Sequence, residues 1–235
     1  MATAVVTGAA RGIGEAIGRR LVADGYDVAL TDIDDEGVER VAAELGARAF
    51  AHDVRELASW EGLVAQLDDV HVLVNNAART EFRSFFEIDV EEWDDVLATN
   101  LRGTYLGCRV VGAALRERGA GRIVNLASDA AFAATGGSGA HYAASKAGVV
   151  AVTRRAATEL APHGVTVNAI APAAIDGPLA REVLRDRLEE KLAHIPVGRL
   201  GRGEEVAALV SFLVSDDAGY VTGATFDVNG GVVMR

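Results

Sequence analysis

The sequence predicts an α/β fold built on a doubly wound parallel sheet, and three observations carry that expectation. Apolar strand-like runs alternate with helical patterns from one end of the chain to the other. Most of those runs are nearly continuous Val, Ile, Leu and Ala rather than alternating apolar and polar, as strands covered by helices on both faces require. No linker, repeat or shift in composition divides the 235 residues, a length that suits one domain of this class.

Taken in order, "ATAVVTG" opens the chain with a strand over Ala2–Thr7, and a glycine-rich turn leads into a helix over Gly12–Asp24. The second strand, Asp27–Asp32, is followed by a helix over Glu36–Leu45, and the third, Arg48–Ala51, by one over Glu56–Leu67. The fourth strand, Val70–Asn75, precedes a long helical stretch over Val90–Arg118. Strand Gly121–Leu126, helix Tyr142–Pro162, strand Val165–Ile170, helix Glu204–Ser215 and a short strand Thr225–Val228 complete the pattern. The segment Pro172–Pro196 breaks the alternation with three of the four prolines and the charged stretch "LAREVLRDRLEEKLAHI". It reads either as a lid over a ligand site, spanning about residues 172–200, or as a solvated surface helix.

Composition narrows the function. Half the residues are hydrophobic and 24% are charged, enough to bury a sizeable core. Asp and Glu outnumber Lys and Arg by 34 to 23, a formal charge of −11, which argues against nucleic acid or an anionic membrane as partner. No window approaches 18 uninterrupted apolar residues, so no membrane span is expected. The lone Cys108 excludes an internal disulfide, and the five histidines are scattered without ligand spacing, so no metal site is expected. The absence of a leader pattern points to the cytoplasm. Glycine is in excess, with 26 residues against an ordinary share of about 7%, and the excess is not periodic. Such glycines suit tight turns and close approach of backbone to a ligand.

The first strand runs into Thr7-Gly8-Ala9-Ala10-Arg11-Gly12-Ile13-Gly14 and then a helix. Glycines at this junction let the backbone approach a pyrophosphate, and the helix amides and dipole favour its negative charge. Gly8, Arg11, Gly12, Ile13 and Gly14 are therefore candidate cofactor contacts, in the spacing G-x-x-x-G-x-G. Asp32 ends the second strand, where a carboxylate accepts hydrogen bonds from an adenosine ribose and repels a 2′-phosphate. NAD is accordingly expected over NADP, with Arg11 as the counterweight. Asp53 and Val54, after the third strand, are placed to meet an adenine, and Asn76, Ala77 and Ala78, after the fourth, to line the groove.

Tyr142 and Lys146, in "YAASK", stand four residues apart on one helical face. A Tyr hydroxyl normally titrates near ~10, and a neighbouring ammonium is expected to lower that value toward the range useful for acid-base chemistry. Alone the pair is a weak signal. Ser128, just past the fifth strand, strengthens it as a hydrogen-bond partner for a substrate carbonyl, and Asn100 as an anchor for a water leading to Lys146.

With these residues in order the sequence resembles the short-chain dehydrogenase/reductase family. The resemblance covers essentially the whole chain: "TGAARGIG", Asp53-Val54, "NNAA", Asn100, Ser128, "YAASK", "VNAIAP" and the ending "YVTGATFDVNGG". It implies a Rossmann-like domain, a nicotinamide cofactor and a catalytic tetrad of Asn100, Ser128, Tyr142 and Lys146. In that tetrad Tyr exchanges the proton, Ser orients the substrate oxygen, Lys binds the nicotinamide ribose and Asn holds a relay water. It also implies cofactor contacts at Tyr142, Lys146, Pro172, Ala173 and Ile175, and assembly as a homodimer or homotetramer. Three positions depart from the pattern: Ala78 and Ala173 replace usual glycines, and Gly177 replaces a usual threonine near the carboxamide. The interval from Ser128 to Tyr142 is also one residue long, with "TGGSG" inside it.

The expected activity is NAD-dependent hydride transfer between the cofactor and a secondary alcohol or ketone. Arg79, Asp129, Ala130, His141, Ala174 and Arg181 are expected to face the substrate. Rival readings are a 3-oxoacyl-thioester reductase of the same family, a non-catalytic NAD sensor, and a methyltransferase, which has no use for the Tyr142–Lys146 pair.

Overall fold

The computed structural model describes residues 1–133, 138–177, 180 and 188–235. Seven strands form one sheet: β1 (Thr3–Thr7), β2 (Asp27–Asp32), β3 (Arg48–Ala51), β4 (Val70–Asn75), β5 (Gly121–Leu126), β6 (Val165–Pro172) and β7 (Thr225–Val228). Their order is β3-β2-β1-β4-β5-β6-β7, and every neighbouring pair is parallel. The chain steps outward from β1 to β3 and then returns to place β4 beside β1. That reversal opens a crevice at the carboxyl ends of β1 and β4, where α/β sheets bind ligands.

The helices are α1 (Gly12–Ala23), α2 (Asp35–Leu45), α3 (Leu57–Val64), α4 (Val90–Leu97), α5 (Gly103–Arg118), α6 (Ala140–Leu160), α7 (Leu188–Ala193) and α8 (Gly203–Val214). They cover both sheet faces, which explains the continuous apolar strands. In β1, Ala4 and Val6 point into a core with Ile17 and Leu21 of α1, Val41 of α2 and Val210 of α8. Val5, between them, points into the opposite core with Trp60 of α3, Val111 and Leu115 of α5 and Leu160 of α6. Each such side chain, wholly removed from water, contributes about 1.5–3 kcal/mol. The fully buried Trp60 keeps its polar edge satisfied, its Nε1 donating to the Val54 carbonyl at 3.0 Å. Asp34 and Asp89 start α2 and α4 by accepting the N–H of Gly37 and Glu92 at 3.1 and 2.7 Å.

The long helix expected over Val90–Arg118 is not one helix. A π turn over Ala98–Arg102 separates α4 from α5. At its centre is Asn100, whose buried side chain bonds the backbone of Arg79 and the hydroxyl of Ser145. Strand β6 also runs two residues past its expected end, to Pro172, because β7 pairs with it along Ala169–Pro172. Much of the expected lid, and the "TGG" of the loop before Tyr142, lie outside the described residues, as does Arg181. Among the described residues no helix is long and apolar enough to cross a membrane.

Candidate active site

The turn after β1 is stitched to the end of β4. The Thr7 hydroxyl oxygen accepts the N–H groups of Asn76 and Ala77, each at 3.0 Å. Asn76 Nδ2 in turn donates to the carbonyls of Thr7 and Gly8, each at 2.9 Å. Gly8 is required twice over: its φ is +66°, and a Cβ there would lie 2.7 Å from Ala77 Cα. Gly12 also has a positive φ, +63°, but no atom lies within 4 Å of where its Cβ would be. Arg11, the residue before α1, is extended and offers no side-chain cap, so the first amides of α1 are left without one at its positive end. An open, glycine-floored cradle at such a helix end fits a pyrophosphate.

Gly8, Arg11, Gly12 and Ile13 line one end of a cleft of about 770 Å³. Asp32, Asp53 and Val54 line it from β2 and β3, Asn76, Ala77 and Ala78 from β4, and Ala173 and Ile175 from β6. Ser128 and Tyr142 stand on the same wall. Asp53 brings its own counter-ion: Arg55 reaches both carboxylate oxygens, Nε at 2.9 Å and Nη2 at 2.7 Å, and holds the carboxyl below its usual range. Ala78, where a glycine is usual, is exposed on the cleft wall. Ala173 donates its N–H to the Val228 carbonyl at 3.2 Å. At Gly177 nothing lies within 4 Å of where a Cβ would stand.

Four of the expected cofactor and catalytic residues do not reach the wall. Gly14 sits behind the turn, where a Cβ would overlap the Gly8 carbonyl; it lets α1 pack against the turn rather than meeting a ligand. Pro172 is buried at the end of β6. Asn100 is wholly buried and clamps the Arg79 backbone, accepting its N–H at 2.7 Å and donating to its carbonyl at 2.9 Å. Lys146 is 3% exposed, its Nζ donating to the Leu126 carbonyl at 2.6 Å and lying 5.8 Å from the Tyr142 ring centre.

Ser128 caps a short turn after β5. Its Oγ accepts the Ala130 N–H at 3.2 Å and donates to Asp129 Oδ1 at 2.9 Å. The Tyr142 hydroxyl is pushed above its ordinary value of 10 by burial, against the pull of hydrogen bonds with Ser128 and Thr80, and Asp129 raises it further. The lowering expected from Lys146 is therefore not what governs it: burial brings Lys146 itself down to about 8. His141 is turned away from the cleft, fully buried against Glu92 and Trp93. Arg79 lines the cleft but is ion-paired with Glu81 and Asp95, while Asp129, Ala130 and Ala174 line it as expected.

Sequence reasoning missed Thr80 and His52. His52 lines the cleft, is 4% exposed, and has its Nδ1 2.7 Å from the Ser59 hydroxyl; burial brings it down to about 4. Its position between β3 and Asp53 was the available signal. Thr80 carried none, since only the fold brings the segment after "NNAA" to Tyr142. Among the described residues, no group of three or more His, Cys, Asp or Glu side chains is placed to hold a metal.

A parallel sheet with a glycine-floored cleft at its switch point, and a Tyr beside a Ser on that cleft's wall, defines a Rossmann-type nicotinamide-dependent oxidoreductase. A family model described as enoyl-(acyl carrier protein) reductase matches residues 8–233, and the chain belongs to the short-chain dehydrogenase/reductase family. It is 38% identical over 237 residues to the 3-oxoacyl-[acyl-carrier-protein] reductase of Escherichia coli K12, covering 98% of this chain and 97% of the relative. A 3-oxoacyl-[acyl-carrier protein] reductase of Brucella melitensis with bound NAD superposes with a TM-score of 0.91 at 32% identity, covering 100% of this chain and 92% of that one. A variant of the actinorhodin polyketide ketoreductase with NADPH gives a TM-score of 0.93 at 36% identity, over 98% and 97% of the two chains.

Proposed function

We propose that the protein is an NAD-dependent oxidoreductase that interconverts a secondary alcohol and a ketone, with Tyr142 exchanging the proton at the substrate oxygen. The observation that carries this reading is that Ser128, Tyr142 and Asp32 line one cleft. NAD, when bound, supplies or accepts the hydride. Ser128 orients the substrate oxygen toward the Tyr142 hydroxyl. Lys146, one helical turn from Tyr142, would hold the nicotinamide ribose by leaving the Leu126 carbonyl, and its ammonium there would draw the phenol toward phenolate. Asn100 holds the Arg79 backbone and the first turns of α6 in register through its bonds to Arg79 and Ser145. Gly12, Ile13 and Asp32 line the cleft: the amides of Gly12 and Ile13 would hold the pyrophosphate of a bound NAD, and Asp32 its adenosine ribose.

The identity to 3-oxoacyl-[acyl-carrier-protein] reductases favours a second, narrower reading in which the ketone is a 3-oxoacyl thioester. We also propose assembly as a homodimer or homotetramer through α5 and α6, which sedimentation would overturn by finding only monomer. The buried, free Cys108 agrees with the reducing cytoplasm as its location.

The decisive experiment is Tyr142→Phe. Turnover of alcohols or ketones is expected to fall by about a thousandfold, with NADH binding, followed by fluorescence, retained. Near-full turnover in that variant would overturn the mechanism. A parallel assay with acetoacetyl-thioester and simple ketones distinguishes the two substrate readings.

A further inference from the structure

Both polar groups of the Tyr142 backbone are held by side chains. Its N–H donates to Nδ1 of His141 at 2.8 Å, and its carbonyl accepts the Ser145 hydroxyl at 2.7 Å. The Ser145 arm is braced by Asn100, whose Nδ2 donates to the Ser145 oxygen at 3.0 Å. The His141 arm crosses to another element, where its Nε2 lies 2.9 Å from Glu92 Oε1 on α4.

The first amides of a helix have no partner within the helix, and Gly139, the residue before α6, has no side chain to provide one. His141 provides it from inside the first turn. Because Nδ1 accepts the amide proton, the ring proton stands on Nε2 and is donated to Glu92. The ring folds back only because Gly139 is a glycine, since a Cβ there would fall 2.7 Å from Nδ1. Trp93 lies over the imidazole with its plane 28° away and ring centres 6.5 Å apart. Arg83 Nε holds the other Glu92 oxygen at 3.3 Å. His141 is completely buried and Glu92 nearly so, at 14% side-chain exposure. A simple cap would need only a Ser or Asp acceptor; this acceptor is instead tied to α4 through a second, charge-assisted bond.

We infer that Glu92 and His141 are positioning residues for the acid-base step: together they fix the first turn of α6 relative to α4, so that the Tyr142 hydroxyl stays beside Ser128 and Thr80. The inference rests on the reading of Tyr142 as the proton-exchanging group. Tyr142 is anchored near its N–H and its carbonyl by bonds that lead to α4 and to the π turn. Loss of the His141 arm leaves the backbone free to tilt while the pyrophosphate and adenosine end of the cleft, lined by Gly8, Gly12, Ile13 and Asp32 from β1, α1 and β2, is untouched.

The test is His141→Leu, which keeps the bulk and removes the acceptor, against His141→Asn, whose amide oxygen can accept the same N–H. His141→Leu is expected to lower kcat by about tenfold, with KM and the NADH dissociation constant within about twofold. His141→Asn is expected to recover most of that loss. An unchanged kcat in His141→Leu overturns the inference, as does an equal loss in the two variants. Should His141→Leu fail to fold, Glu92→Leu and Glu92→Gln replace it. Glu92→Leu is then expected to lower kcat by about fivefold relative to Glu92→Gln, which keeps an acceptor, and equal kcat values overturn the inference. Tyr142→Phe, assayed alongside, separates the two failures. If it stays active the mechanism itself is wrong, and if it is inactive while His141→Leu is normal only the positioning role falls.

Discussion

The carboxylate of Asp32 accepts the backbone N–H of Ala10 at 3.0 Å, tying the end of β2 to the glycine turn after β1. Its second oxygen accepts the N–H of Asp34, also at 3.0 Å. The charge is therefore fixed in place at the cleft wall by two amides from opposite directions.

A phosphate on the adenosine ribose would meet this fixed charge, whereas a ribose hydroxyl would find an acceptor. Asp32→Asn keeps an oxygen to hold Ala10 and removes the charge. Relative affinity for NADPH over NADH is expected to rise by about tenfold or more, a difference of roughly 1.4 kcal/mol or greater. Fluorescence titration with the two reduced cofactors reads this directly, and an unchanged ratio would show that Asp32 does not set the preference.

The two inner glycines of the turn differ in kind. A methyl at Gly14 would overlap the Gly8 carbonyl and approach Asn76 Nδ2 to 2.6 Å, whereas at Gly12 the space is open and only the positive φ is unfavourable. Gly14→Ala is expected to cost about 2–3 kcal/mol by overpacking, and Gly12→Ala about 1–2 kcal/mol by backbone strain. Urea unfolding of the two variants checks the order, and a smaller loss at Gly14 would contradict the packing role.

His52 should shape the acid limb of stability. Burial holds the folded imidazole at about 4 against an ordinary 6.5, so between those values the unfolded chain binds a proton that the native state does not. Stability from this group is full above pH 6.5 and is lost as pH falls toward 4, by about 3 kcal/mol. His52→Leu is expected to lose correspondingly less stability across that interval in urea unfolding at fixed temperature. Parallel pH profiles for the two proteins would exclude His52 as the source.

The sheet was legible because strands covered on both faces are mostly apolar along their centres; β1, β2 and β5 differ from expectation by at most a residue. Ser128, Tyr142 and Asp32 were legible because strand ends and helix starts place side chains at one edge of the sheet. What spacing does not reveal is which way a residue faces. Gly12 and Gly14 share a motif, yet the first meets the cleft and the second a carbonyl. His141 adjoins Tyr142 but faces α4, because a neighbour along a helix points about 100° away. The Asn100 clamp joins segments 21 and 45 residues apart, and no local pattern encodes such bonds.

The π turn at Ala98–Arg102 has a consequence for how this chain tolerates change in length. One residue more than an α-helical turn requires is accommodated there, and each residue advances a helix by about 100°. Deleting a single residue within the turn would let α4 and α5 fuse into one regular helix. The flanking helices would keep nearly their present faces, because the π turn already absorbs the extra residue, but Asn100 would lose the bulged backbone that carries its side chain inward to Arg79 and Ser145. At this junction a one-residue deletion therefore spares the directions of α4 and α5 and removes the clamp that ties them to the segment after β4.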